Sequence, residues 1–72
     1  MPLPWIKAFV AVNEDIVACE RRFHQQCILV AHLAEKGHVP AKDEMLLASY
    51  LTSLTLLRAH RDGLLAEVPT DA

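Results

Sequence analysis

Apolar residues recur through the first half of the chain at spacings of three and four. With residues placed 100° apart, Trp5, Phe9, Val12, Ile16, Cys19, Phe23, Cys27, Val30 and Ala34 share an arc of about 80°. A second stripe of Ile6, Val10, Val17 and Ile28 adjoins it, and Lys7, Glu14, Arg21, Gln25, His32 and Lys36 fill the opposite side. In the second half Leu46, Leu47, Tyr50, Leu51, Leu54, Leu57, Leu64 and Leu65 form one broad face. A weaker row of Met45, Thr52, Leu56, Ala59 and Gly63 runs behind it, with Ala59 and Gly63 small enough for close helix approach. Both halves carry a helical period. Prolines, which helix interiors exclude, stand only at positions 2, 4, 40 and 69. The pattern predicts helices over roughly 4–36 and 40–67, joined by a turn at 37–39. Gly37 suits the residue just past a helix end, with Lys36 in the last turn before it. Pro40 suits the first turn of the second helix, with Asp43 and Glu44 near its positive end. Pro69 and the polar tail Thr70-Asp71-Ala72 end that helix. A connection as short as Gly37-His38-Val39 makes the helices antiparallel neighbours in one domain covering residues 1–72.

The width of the faces changes the picture. A core-facing helix needs an apolar stripe of about 100°, and the first helix shows more than that. The chain has 72 residues, of which 53% are hydrophobic and only two are glycine. That composition excludes disorder over most of the chain and leaves little turn material for an all-β fold. A chain this short without a metal or disulfide often reaches stability by association. The expected architecture is an all-α antiparallel hairpin that dimerises into a four-helix bundle. Trp5, Phe9, Val12, Ile16, Phe23, Leu47, Leu51 and Leu54 are the expected oligomer interface. The apolar arm before Asn13 is free to project past the partner helix onto another subunit, onto a partner, or onto a membrane surface through Trp5, Ile6, Phe9 and Val10.

Charge and cysteine usage narrow the partners. Seven Lys and Arg stand against nine Asp and Glu, a formal charge of -2 without the basic stripe of a nucleic-acid binder. The apolar N-terminal stretch is interrupted by Lys7 and meets Asn13-Glu14-Asp15 before a membrane span of about 20 residues is complete. It also lacks the basic region and cleavage site of a secretory signal. Cys19 and Cys27 would lie about 12 Å apart along a helix, too far for a bridge within one chain. These features predict a cytoplasmic, soluble protein without a cofactor, whose partners are itself and an unidentified second protein.

Some polar residues sit where apolar ones are expected. Glu20 lies between the two apolar stripes of the first helix, and Arg58 and Arg61 lie within or beside the leucine face of the second. A buried charge is costly unless paired, so a buried ion pair of Glu20 with Arg58 or Arg61 is expected, within the hairpin or across a dimer. Glu20, His24 and Cys27 share one helical face and include metal-ligating types, which gives an alternative reading as a metal or small-ligand site inside the oligomeric bundle. One helix rarely completes a tetrahedral set, so packing is the favoured reading of the three. No catalytic constellation is present: the serines are Ser49 and Ser53, and the two glycines form no phosphate loop. The run Ala31-His32-Leu33-Ala34-Glu35-Lys36-Gly37 is similar to a histidine-phosphotransfer motif, with lysine and glycine each one position late; His32 is read as a solvated surface residue.

The segment from about Glu20 to Val68 also resembles a family of small bacterial helical-hairpin proteins of unknown function. Glu20-Arg21, Leu29 through His38, Leu46-Leu47-Ala48 and Leu54 through Leu65 carry the resemblance. It centres on Gly37-His38 after the first helix and Ala59-His60-Arg61-Asp62 in the second. The chain departs from it at Val39-Pro40, where Asp-Thr would cap the helix, and in its apolar first dozen residues. The resemblance implies the hairpin and no activity. The expected function is a non-enzymatic module acting through self-association and protein–protein contact, with His38, His60, Arg58 and Arg61 as polar surface or junction residues.

Overall fold

The computed structural model describes residues 3–68. Two helices, α1 (Leu3–Glu35) and α2 (Ala41–Ala66), pack against each other along their length, and no strand occurs among the described residues. Each helix end falls one residue from its predicted position. The expected tail from Pro69 onward lies outside the described residues.

The turn is made by glycine, as expected. Gly37 has φ 89°, in the left-handed region that a side chain disfavours. Its amide donates to the Ala34 carbonyl at 3.0 Å, and the His38 amide donates to the Leu33 carbonyl at 3.2 Å. Those two bonds form a Schellman closure, which satisfies carbonyls that the helix end would otherwise orphan. Pro40 is the residue that caps α2 rather than its first helical residue. Its extended backbone leaves its carbonyl accepting from the Asp43 and Glu44 amides at 3.0 and 3.3 Å.

The two helices meet on a seven-residue repeat. On α2 the residues shielded from solvent are Asp43, Leu47, Tyr50, Leu54, Leu57, Arg61 and Leu64, at alternating spacings of four and three. On α1 the same alternation runs Trp5, Phe9, Val12, Ile16, Cys19, Phe23, Gln26, Val30 and Leu33. This is the 3.5-residue period of a coiled coil. Val12, Ile16, Cys19, Leu54 and Leu64 are its buried centre, and Trp5, Phe9, Phe23, Tyr50 and Leu57 pack against them. The predicted arc follows this seam through Phe23 and then slips: Gln26 and Leu33, not Cys27 and Ala34, face α2.

Three donors on α1 fix the register by reaching carbonyls of α2. The Trp5 indole Nε1–H donates to Leu64 O at 2.8 Å, the Cys19 thiol to Tyr50 O at 3.6 Å, and the Gln26 amide to Asp43 O at 2.9 Å. Trp5 and Cys19 are two heptads apart, Cys19 and Gln26 one, and their acceptors keep the same spacing in reverse. Leu64 lies in the last turn of α2, and its carbonyl also accepts from the Glu67 amide at 3.1 Å, so Trp5 adds a second bond at that end. Trp5 also stacks on Phe9, with ring centroids 5.0 Å apart and planes 8° from parallel. The N-terminal arm therefore lies against α2 rather than projecting past it.

Other expectations change with this seam. Val12, Ile16 and Leu54, expected at an oligomer interface, are buried inside the single chain and hold the hairpin together. Trp5, Phe9, Phe23 and Leu47 take seam positions too, and only Leu51 of that set is half exposed. Leu46 and Leu65 face outward, as do Met45 and Leu56 of the weaker row. A Cβ added at Gly63 would meet nothing within 4 Å, so this glycine brings no helix close.

Leu54, 1% exposed, is the most enclosed large side chain of the seam. Leu54→Ala should destabilise the hairpin by roughly 2–5 kcal/mol. Leu56→Ala, at a site 67% exposed, should change it by less than about 0.5 kcal/mol. Denaturant titration of the two variants checks the assigned face, and equal losses would contradict it.

Candidate functional site

The polar residues singled out in the sequence fall into three places. Glu20 and Arg58 do meet: Arg58 Nη2 donates to Glu20 Oε2 at 3.4 Å. Glu20 follows the seam residue Cys19, and Arg58 follows Leu57, so both stand on the same edge of the seam. The pair is not buried as expected. The side chains of Arg58 and Glu20 are 47% and 50% exposed, because residues beside a two-helix seam have no third element to cover them. Arg61 takes a seam position and is partly buried, yet has no ion pair among the described residues.

The Glu20, His24 and Cys27 set does not converge. Glu20 and His24 are exposed and Cys27 is half-buried. Among the described residues no group of three or more His, Cys, Asp or Glu side chains is placed to hold a metal ion. Cys19 and Cys27 are free thiols, the first buried in the seam. At the turn, His38 is exposed beside Gly37, with Pro40 half-buried. His60 is exposed on α2, and His32 lies 3.8 Å from Glu35 on the outer surface of α1.

Sequence reading missed Gln26. Among the described residues it is the one buried polar side chain, and its amide reaches both the Asp43 carbonyl at 2.9 Å and Asp43 Oδ1 at 3.5 Å. The signal was present in the spacing: Trp5, Val12, Cys19 and Gln26 recur every seven residues. A strict 3.6-residue helix drifts off that row, whereas a coiled coil stays on it.

Two shallow grooves border the seam. One runs along α1 past Val10, Glu14, Val17, Ala18 and Arg21. The other lies between the helices on the opposite edge, past Asp15, Arg22, Tyr50, Ser53 and Leu56. Large apolar side chains remain in water around them: Leu3, Ile6, Val10 and Val17 on α1, and Leu46, Leu51, Leu56 and Leu65 on α2. No helix among the described residues is long and apolar enough to cross a membrane. Comparison of the chain with protein-family models, with curated proteins and with solved structures finds no match in any of the three.

The two polar contacts should differ in weight. Gln26→Ala removes a buried amide from its carbonyl partner and should cost about 1–3 kcal/mol. Glu20→Gln breaks an exposed pair and should cost less than about 1 kcal/mol. Thermal unfolding of the two variants ranks them, and a larger loss for Glu20→Gln would reverse the assignment.

Proposed function

We propose that the protein is a non-enzymatic interaction module whose function begins with self-association, two hairpins closing a four-helix bundle that then presents its outer faces to a partner protein. The observation that carries this reading is the amount of apolar surface one hairpin leaves in water. Among the described residues five hydrophobic side chains are buried, while eleven large ones are at least 40% exposed. The chain exposes 5379 Å² at a mass of 8.0 kDa. A compact monomer of that mass would expose roughly 4,500 Å². The difference, roughly 900 Å², is comparable to the roughly 800 Å² that each partner gives to a standard interface. The shape explains it: extents of 58 × 16 × 14 Å describe a rod two helices wide, in which every helix has one covered side and three open ones.

Absolute mass by light scattering across a concentration series tests the reading. A mass of two chains that persists to low micromolar concentration is the expected result. A single-chain mass at every concentration would contradict it.

A further inference from the structure

We infer that the second copy docks antiparallel on the edge of the hairpin that carries Glu20 and Arg58, about a two-fold axis that passes Val17 and Ala18 on α1 and Leu51 on α2. This rests on the self-association reading and deepens it by naming the face and its register. The bonds Trp5–Leu64, Cys19–Tyr50 and Gln26–Asp43 set the levels of the two helices. Each step forward on α1 is one step back on α2, so Val17 and Ala18 stand opposite Thr52 and Leu51. On α2, Leu51 lies midway between Glu44 and Arg58, one heptad from each. On α1, Val17 and Ala18 lie midway between Glu14 and Arg21. Each helix thus places an acid and a base symmetrically about a centre, and the two centres stand at one level. A two-fold axis there brings Glu14 beside Arg21 and Glu44 beside Arg58 of the second copy, each twice over. Val17 and Leu51, 48% and 50% exposed in one hairpin, meet their own copies at the axis and leave water.

Apolar surface alone does not choose the edge, because Leu29, Leu46 and Leu56 are exposed on the other one. Nor does α1 choose it, since Asp15 and Arg22 repeat the Glu14 and Arg21 pattern one residue on. The charges of α2 decide. The 3.4 Å contact with Glu20 marks the edge that Arg58 occupies, and Glu44 and Leu51 share its heptad row. On the opposite edge the α2 row is Leu46, Ser53 and His60, which sets no acid and base about that level. The middle of that edge is the groove past Asp15, Arg22, Tyr50 and Ser53, polar where the first edge has Val17 and Leu51. Glu14, Arg21 and Glu44 have no ion pair among the described residues, and none has an opposite charge three or four positions away. The second copy supplies the missing charges. Arg58 keeps Glu20 and gains Glu44 of the second copy, since a guanidinium has five N–H donors.

The test is cysteine cross-linking with sedimentation equilibrium on the full chain, and circular dichroism monitors the helices of each variant. Leu51→Cys places two thiols together at the axis and should give a covalent dimer on mild oxidation. Leu56→Cys, on the groove at the other edge, should stay mostly unlinked under the same conditions. So should the wild-type chain, because Cys19 is buried and Cys27 would stand about 30 Å from its own copy. Glu14→Arg and Arg21→Glu should each weaken the homodimer about tenfold at low salt, and less at high salt. Mixed together they should form a heterodimer, because every acid again meets a base. A Leu51→Cys chain that dimerises without cross-linking, or a Leu56→Cys chain that links as fully, would overturn the inference and leave self-association standing. Wild-type chain that stays monomeric would remove the underlying reading as well.

Discussion

An α-helix turns once every 3.6 residues, so a row repeated every seven residues drifts slowly around its surface. Both helices here keep such a row, and they keep it facing each other from Trp5 opposite Leu64 to Gln26 opposite Asp43. Everything else in the molecule depends on that match. The seam decides which side chains are enclosed, which edge Glu20 and Arg58 share, and which apolar residues are left outside. A slip of one residue on α2 would carry Leu54 out and Leu56 or Leu51 inward, and would unmake the three side-chain bonds to α2 carbonyls together.

Those bonds divide the work of specificity from that of stability. Leu, Ile and Val side chains in a two-helix seam tolerate sliding, since dispersion contacts are individually small and non-directional. A donor aimed at one carbonyl does not. Trp5 holds the open end of the hairpin by bonding a carbonyl in the last turn of α2, and Gln26 holds the turn end through Asp43. Between them Cys19 is packed as a small apolar residue whose thiol makes a weak bond to Tyr50 O.

The fold was legible from punctuation and period. Pro4, Gly37 and Pro40 marked the helix ends to one residue, and the leucine spacing assigned Leu47, Leu54, Leu57 and Leu64 to the inner side. The Glu20–Arg58 contact was expected as well, though two long side chains make it: the Cys19–Tyr50 bond sets Glu20 near the level of Tyr50, about two turns along α2 from Arg58. Its exposure was not expected, since an apolar-looking flank reads the same whether a third element covers it or water does. Gln26 was missed because a polar residue was discounted from an apolar row, although the heptad pointed to it. The burial of three residues expected at an oligomer interface has a related reason. Val12, Ile16 and Leu54 are the most apolar positions of each stripe, and the hairpin's own seam takes them first.

A seam one residue-layer thick encloses little. With Leu54 the only large side chain among the described residues fully removed from water, the cost of ordering two long helices is set against a small buried core. On the proposed reading, association supplies the missing burial, and folding and assembly are coupled. The midpoint of thermal unfolding, followed by circular dichroism over a hundredfold range of chain concentration, tests that coupling directly. The account predicts a midpoint that rises steadily with concentration, because a dimer that melts to two unfolded chains is stabilised by mass action. A cooperative transition whose midpoint stays fixed across the range would show that the single hairpin stands alone.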